Sequence, residues 1–307
     1  MRAWRLDLGG FELVEVPRPR VPAEGVLVEV AAAGLCHTDV MHLDLGPAHL
    51  PVSPMTLGHE TAGRIVEVGA AVTGWAVGDR VAVLASEHGP GSARDGGYAD
   101  AVVAYPHELV EVPDEVDDAT AAVATDAGVT AYRAVLVQGR VQAGMTVGII
   151  GLGGLGMIGA RLAHLAGATV YGADVKESLF SLAGAQGVKA SAPSLAVFED
   201  VSFDVVVDFA GVDTTGGAFR AVRPGGRVVQ VGIGRPSATI DLFDVLVKQL
   251  EYVGSNTGSV EELAAFLRLV ARGEITPEIE RIPVGEIGAG LERLRRGEVT
   301  GRLVAMP

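Results

Sequence analysis

Cysteine is nearly absent from this sequence: Cys36 is the only one among 307 residues. A single cysteine cannot form an internal disulfide, so the chain is not a disulfide-stabilised secreted domain. The N-terminal segment MRAWRLDLGG also lacks an apolar stretch followed by a cleavage site of small residues. We therefore expect a cytoplasmic protein.

Basic residues and long hydrophobic runs are also scarce. Lys and Arg number 24 against 38 Asp and Glu, which gives a formal net charge of −14. Nucleic acids and anionic membranes are bound by clustered Lys and Arg, so the composition argues against both partners. The uncharged stretch 144–160 is slightly short for a membrane span and rich in glycine, and a buried strand, turn and helix explain it better.

The sequence contains three segments with different patterns of apolar and polar residues. Residues 1–127 carry short Val-rich runs between Gly, Pro and Asp, a pattern typical of an irregular antiparallel barrel. Residues 128–254 alternate apolar strands with helical stretches, which predicts a parallel sheet covered on both faces. Residues 255–307 have helical patterns and end in a short strand. These patterns together predict an α/β protein with a doubly wound parallel sheet and a β-barrel.

The most specific local motif is a glycine loop between a strand and a helix. Gly151, Gly153 and Gly156 form G-x-G-x-x-G, and Asp174 follows a second strand. Gly151 permits the tight turn, Gly153 lets the backbone approach a pyrophosphate, and Gly156 allows close packing of helix on strand. Gly154–Leu155 open the helix, whose N–H groups would bind the phosphates. Glycines in such a loop can also serve only to make a turn, but the agreement of all these elements favours dinucleotide binding.

The acidic residue after the second strand indicates which dinucleotide binds. Asp174 can accept hydrogen bonds from both hydroxyls of an adenosine ribose and would repel a 2′-phosphate. The sequence therefore predicts NAD rather than NADP as the cofactor.

Three potential metal ligands of different chemical types are spread over the first 126 residues. Cys36, His59 and Asp126 offer a thiolate, an imidazole and a carboxylate. Three protein ligands leave the fourth tetrahedral position of a catalytic zinc ion open for substrate. Each residue also has an ordinary structural interpretation: a buried small cysteine, a core histidine, and an aspartate capping the helix expected at AGVTAYRAVL.

Several segments together resemble one enzyme family nearly end to end. The chain is similar to zinc-containing members of the medium-chain dehydrogenase/reductase superfamily, of the alcohol dehydrogenase type, in GLCHTDV, TLGHETAGRIVEVG, GDRV, DGGYADAVV, ATDAGVTAYRA, GLGGLG, RPGGRVVQVG and GRLV. The resemblance implies a GroES-like barrel domain over 1–127 and a Rossmann NAD-binding domain over 128–254. It also implies that 255–307 returns to the first domain.

The resemblance implies roles for residues around one catalytic zinc ion per chain. Cys36, His59 and Asp126 match the three ligands, with aspartate where many relatives have cysteine. Glu60 matches a glutamate that can approach the metal and exchange with its bound water. Asp39 matches a carboxylate that holds the ligand imidazole.

Other positions match cofactor contacts and the proton path. His37 and Arg302 correspond to contacts with the pyrophosphate, and Thr130 to the threonine that faces the nicotinamide. Thr38 matches the hydroxyl that receives the substrate proton. The histidine that usually continues this path is replaced by Met41, so the proton passes either to His42 or directly to water.

Two departures from the family concern the loop after GDRVAVL. The chain lacks the four-cysteine lobe that holds a structural zinc ion in many relatives. A bulky pocket residue of some relatives corresponds to Ala85, which suggests a wider substrate pocket. The other histidines, His49, His88, His107 and His164, match no ligand position.

The resulting hypothesis is a zinc- and NAD-dependent oxidoreductase that interconverts a small alcohol with its aldehyde or ketone, as a homodimer or homotetramer. One alternative is a zinc-free reductase of the same fold that acts on an activated C=C bond or a quinone. Another is a dinucleotide-binding protein without catalysis.

Overall fold

The computed structural model describes residues 1–307 and contains two compact units. Unit 1 comprises residues 1–126 and 259–307, and unit 2 comprises residues 127–258. None of the helices combines the length and the apolar character needed to span a bilayer.

Unit 1 is built mainly of strands, and all elements are numbered along the chain. Its strands are β1 (Arg2–Asp7), β2 (Gly10–Glu15), β3 (Val26–Leu35), β4 (Met55–Thr56), β5 (Glu60–Val68), β6 (Arg80–Val83), β7 (Ala101–Ala104), β8 (Leu109–Glu111), β15 (Ile279–Pro283) and β16 (Arg302–Met306). Its helices are α1 (His37–Leu45), α2 (Asp118–Val123), α8 (Val260–Ala271) and α9 (Ile287–Arg295).

The long strand β3 organises unit 1. It pairs antiparallel with β5, β7 and β16 in a seven-stranded sheet. Six of the strands have the order β15-β16-β3-β5-β6-β8, and the seventh, β7, pairs with β3 outside this order. A second sheet has the order β2-β1-β4. Val26, Val28, Ile65 and Val81 are fully buried between these elements, as the Val-rich runs predict.

Unit 2 is a parallel sheet with intervening helices. Its strands are β9 (Thr146–Ile150), β10 (Thr169–Ala173), β11 (Val188–Ala192), β12 (Phe203–Asp208), β13 (Val222–Gln230) and β14 (Glu251–Gly254), and its helices are α3 (Val129–Tyr132), α4 (Gly154–Leu165), α5 (Phe180–Ala185), α6 (Thr215–Ala221) and α7 (Leu242–Lys248). All pairings are parallel, in the order β11-β10-β9-β12-β13-β14. This is the 3-2-1-4-5-6 order of a doubly wound dinucleotide fold, and the predicted α/β class is confirmed.

Candidate active site

Strand register brings distant parts of unit 1 together where the central strand β3 ends. Gly34 at the end of β3 lies opposite Glu60, the first residue of β5. Leu35 lies opposite Leu303 in β16. The residues that flank these pairs, including Cys36 and His59, therefore lie close together although they are far apart along the chain.

Four possible metal ligands lie close together at this end of β3. One ligand atom from each of Cys36, His59, Glu60 and Asp126 lies within 4.8 Å of the other three. Cys36 Sγ is 3.5 Å from Asp126 Oδ2, and His59 Nε2 is 3.6 Å from the same oxygen. Cys36 and His59 are 8 % and 6 % exposed and Glu60 is fully buried, whereas the Asp126 side chain is 18 % exposed, so the cluster is mostly buried and reaches solvent at Asp126.

The orientation of His59 is set by a buried carboxylate. Asp39 Oδ1 lies 3.4 Å from His59 Nδ1, while Asp39 Oδ2 accepts hydrogen bonds from Tyr98 Oη at 2.8 Å and Cys36 N at 3.1 Å. With Nδ1 facing Asp39, the other ring nitrogen of His59 points toward Asp126. A carboxylate held in this way fixes the tautomer of an imidazole ligand.

Opposite charges hold the ionised states of these buried groups. Burial alone would lower the pKa of His59, but Asp39 and Asp126 raise the pKa well above its usual value. Burial alone would raise the pKa of Asp126, but the hydrogen-bonded His59 holds it well below its usual range. These charges favour the protonated form of His59, and a metal ion bound to this ring would displace the proton.

Glu60 forms a buried ion pair with a residue from the last strand. Arg302 Nη2 donates a hydrogen bond to Glu60 Oε1, and both side chains are at most 5 % exposed. The second oxygen, Glu60 Oε2, is buried without a hydrogen-bond partner. Burial raises the pKa of Glu60 to about 7, although Arg302 opposes that rise. An unpartnered buried carboxylate oxygen is costly, and a cation at this position would satisfy it.

Asp126 lies inside a wide helical turn and not at a helix N-terminus. Residues 124–128 form a π-helical turn directly after α2. The cap of α2 is Asp117, whose side chain accepts a hydrogen bond from Thr120 N. The structural alternative in which Asp126 caps a helix at AGVTAYRAVL is therefore wrong, because the chain is already helical from Asp118 onward. Single π turns occur often at functional sites.

The first turn of α1 carries Thr38 and His37. Thr38 Oγ1 lies 3.6 Å from Cys36 Sγ, so its hydroxyl is beside the ligand cluster. His37 is the first residue of the helix and is exposed. Ala85 is 4 % exposed, and its N–H donates a hydrogen bond to Thr125 O at 3.1 Å.

The glycine loop of unit 2 has the backbone that the motif predicts. Gly151 has a φ of +83°, and a Cβ on Gly156 would lie 1.7 Å from Gly151 O. A Cβ on Gly153 would meet nothing within 4 Å, so space is open beside the N-terminus of α4. Asp174 Oδ2 accepts a hydrogen bond from Leu152 N at 2.7 Å, which ties the loop to the end of β10.

A cavity of about 430 Å³ adjoins this loop within unit 2. Its lining includes Gly151, Asp174, Ala210 and Val212. Thr130 lies in α3 and is 5 % exposed. The cavity lies at the carboxyl ends of β9, β10 and β12, where parallel α/β sheets bind their ligands.

Sequence reasoning missed two residues. Tyr98 Oη donates a hydrogen bond to Asp39, and His49 contacts His42. Tyr98 belongs to the segment DGGYADAVV, but no spacing rule connects it with Asp39. Nothing in the sequence distinguishes His49 from the other histidines that match no ligand position.

Known proteins resemble this chain along most of its length. Residues 22–114 match the family model described as alcohol dehydrogenase GroES-like domain, and residues 154–272 match the model described as zinc-binding dehydrogenase. An alcohol dehydrogenase of Geobacillus stearothermophilus is 32 % identical over 96 % of this chain and 95 % of its own length.

Solved structures of other proteins have the same fold over the whole length of this chain. The acetophenone reductase of Geotrichum candidum in complex with NAD has a TM-score of 0.90 and 30 % identity, covering 100 % of this chain and 97 % of its own. The alcohol dehydrogenase of Aeropyrum pernix has a TM-score of 0.89 and 30 % identity, with both chains fully covered. The chain belongs to the zinc-type medium-chain dehydrogenase/reductase superfamily, and the predicted GroES-like domain is confirmed.

Proposed function

We propose that the protein is a zinc- and NAD-dependent oxidoreductase that interconverts an alcohol with its aldehyde or ketone. The observation that carries the proposal is the convergence of Cys36, His59, Glu60 and Asp126 within 4.8 Å. Relatives named alcohol dehydrogenase and acetophenone reductase support this class of substrate.

The donor set fits a zinc ion in chemistry and in spacing. Zinc–ligand bond lengths of about 2.0–2.3 Å in a tetrahedron separate a sulfur from an oxygen ligand by about 3.6 Å and a nitrogen from an oxygen ligand by about 3.4 Å. The observed separations are 3.5 Å for Cys36–Asp126 and 3.6 Å for His59–Asp126. The unpartnered oxygen of Glu60 could take a fourth position or yield it to substrate. We assign one such ion per chain to Cys36, His59 and Asp126.

The glycine loop of unit 2 fits a dinucleotide. The open space at Gly153 and the free N–H groups of Gly154 and Leu155 suit a pyrophosphate. Asp174 lines the adjacent cavity and suits a ribose without a 2′-phosphate. His37, Thr130 and Arg302 remain proposed cofactor contacts, with Arg302 held on Glu60 in the present structure.

The chemistry divides between the bound groups and the chain's own residues. When bound, zinc would act as a Lewis acid on the substrate oxygen and NAD would accept the hydride. Asp39 holds His59 so that Nε2 faces the cluster, and Tyr98 holds Asp39. Thr38 Oγ1, beside Cys36, is placed to accept the hydroxyl proton of an alcohol.

Metal analysis separates this proposal from its alternatives. We expect about one zinc per chain, lost together with alcohol oxidation in Cys36→Ala, while the melting temperature of the metal-free protein stays within a few degrees. His59→Ala should behave likewise, whereas the matched control His88→Ala, at a side chain 90 % exposed, should not. A metal-free enzyme with full activity would leave the zinc-free reductase, and an inactive zinc-free protein that binds NAD would leave the non-catalytic alternative.

We also propose that the protein is a homo-oligomer. The short helix α7 exposes Leu242, Phe243, Leu246 and Val247 to between 60 % and 75 %, and β14 is an edge strand of the unit 2 sheet. Exposed apolar side chains grouped on one helix and an unpaired strand edge are each typical of a contact surface. A second copy related by a twofold axis would cover both. Leu246→Glu should then shift the protein to a smaller species in sedimentation, and an unchanged species would contradict this surface.

A further inference from the structure

Two histidines form a contact that the ligand cluster does not use. His42 Nδ1 lies 2.7 Å from His49 Nε2, and the two ring planes are within 15° of parallel with centroids 5.0 Å apart. His42 is in α1 and half-buried, whereas His49 ends the short 3₁₀ helix Pro47–His49 and is exposed. The pair therefore connects the flank of α1 with bulk water.

The hydrogen positions in this pair follow from its third partner. His49 Nδ1 lies within hydrogen-bond distance of Gly46 O. A carbonyl oxygen only accepts, so Nδ1 of His49 must carry a proton, and Nε2 of the neutral ring is then an acceptor. His42 Nδ1 must therefore donate to His49 Nε2. This leaves His42 Nε2 as the ring nitrogen with a free lone pair.

The same helix connects His42 with the ligand cluster. Thr38 and His42 are four residues apart on α1, so they share one face with Cβ atoms about 5–6 Å apart. Helical side chains lean toward the N-terminus, which tilts the His42 ring toward Thr38. Met41 projects about 100° away from His42 and is 49 % exposed. A direct contact or one bridging water can span the distance from Thr38 to His42.

We propose that His42 and His49 form the proton exit of the active site. This inference rests on the proposed alcohol oxidation. Oxidation of an alcohol, for which bound NAD would supply the hydride acceptor, would release one hydroxyl proton; this proton passes to Thr38 Oγ1 as the hydroxyl proton of Thr38 moves to His42 Nε2. The Nδ1 proton of His42 then moves to His49 Nε2, and His49 releases one proton to water. Only protons move along this path, and carbonyl reduction runs it backward.

The charges around His42 suit a group that accepts and then releases a proton. Burial, His49 and His59 lower the pKa of His42, while Asp39 opposes them. The neighbouring helix α9 packs on α1 and contributes Arg295, which is paired with Asp44 at 2.6 Å. These surroundings favour the neutral form of His42, which can accept a proton, as a relay requires.

The kinetic test compares His42→Gln and His49→Gln with the matched control His88→Gln. Glutamine keeps hydrogen-bonding groups but cannot pass a proton along. At pH 7 we expect kcat for alcohol oxidation to fall about tenfold in His42→Gln and less in His49→Gln, with KM unchanged. In His42→Gln the rate should rise with pH and with added imidazole, because external bases then take the proton. His88→Gln should match the parent enzyme.

A second measurement does not depend on activity. Nitrogen-15 NMR of the histidine rings in the protein as purified should show Nδ1–H tautomers for both His42 and His49.

The outcomes separate the two proposals. A parent enzyme without zinc- and NAD-dependent alcohol oxidation overturns the proposed function and the relay with it. An active parent whose His42→Gln variant keeps its rate and ignores imidazole overturns the relay alone. Nε2–H tautomers for both rings would also overturn the relay.

Discussion

Tyr98→Phe tests whether the chain Tyr98–Asp39–His59 prepares the ligand cluster. The variant removes one oxygen atom and leaves the ring, which is fully buried, in place. Asp39 Oδ2 then keeps only the hydrogen bond from Cys36 N, while Asp39 Oδ1 continues to face His59. Because the Asp39 side chain is fully buried, no water can replace the lost donor.

The magnitude follows from the type of hydrogen bond lost. A hydrogen bond to a charged group contributes about 1.5–3 kcal/mol. Burial and Asp39 raise the pKa of Tyr98 well above its usual value. The hydroxyl therefore stays protonated and can donate its hydrogen bond to Asp39. We expect the free energy of unfolding of the metal-free protein to fall by about 2 kcal/mol. Partners that orient a ligand histidine affect metal affinity by about 10–100-fold, and we expect a loss in that range.

Urea unfolding of the metal-free protein and competition with a chromophoric zinc chelator measure the two effects separately. Tyr105→Phe is the matched control, because the Tyr105 ring stacks on His107 outside the cluster. A Tyr98→Phe protein that loses stability but binds zinc as tightly as the parent would refute the orienting role of Asp39. Unchanged stability would refute the stated hydrogen-bond energy.

Two carboxylates of unit 2 give further predictions. Asp174→Ala should lower the affinity for NAD relative to NADP by at least about tenfold in fluorescence titrations, because charged hydrogen bonds to the ribose are lost; an unchanged ratio would contradict the assignment. Asp204 Oδ2 accepts from Thr146 N at 2.7 Å and its Oδ1 pairs with Arg223 at 2.7 Å, and these contacts lower its pKa although burial opposes them. The stabilisation is therefore present above the unfolded pKa of about 3.9 and is lost as pH falls through the lower folded value. Asp204→Asn should cost about 1–2 kcal/mol in urea unfolding at pH 7, and a difference from the parent that persists at pH 2 would contradict this origin.

Unit 2 was the more predictable part of the chain because its determinants are local. The strand, the glycine turn, the helix and Asp174 follow one another within residues 146–174, so a contiguous pattern specifies them. Alternation of strands and helices then leads to a parallel sheet, and the observed strand order agrees.

The candidate site was predictable in part. Cys36, His59 and Asp126 could be singled out by residue type and by resemblance, and the structure brings them together. The hydrogen bond between Tyr98 and Asp39 joins residues 59 positions apart, and their proximity depends on how the strands of unit 1 pair. No local pattern encodes such a contact.

Helix irregularities were not predictable for a different reason. The π turn at residues 124–128 has no periodicity of its own, because it contains a single widened turn next to an ordinary helix. The turn nonetheless matters for the site, because it contains Asp126, one of the proposed metal ligands. The contact of His49 with His42 likewise depends on the turn after α1, which follows no repeated pattern.

Unit 1 cannot be completed during synthesis until β16, near the end of the chain, has been made and can pair with β3. Glu60 and Arg302 are 242 residues apart, and at about 5–20 residues per second a ribosome needs about 10–50 s to cover that length. Until then Glu60 lacks its partner Arg302, and β3 lacks its neighbouring strand β16. The Rossmann-type unit, which is continuous from 127 to 258, can fold on the ribosome before the barrel that begins the chain.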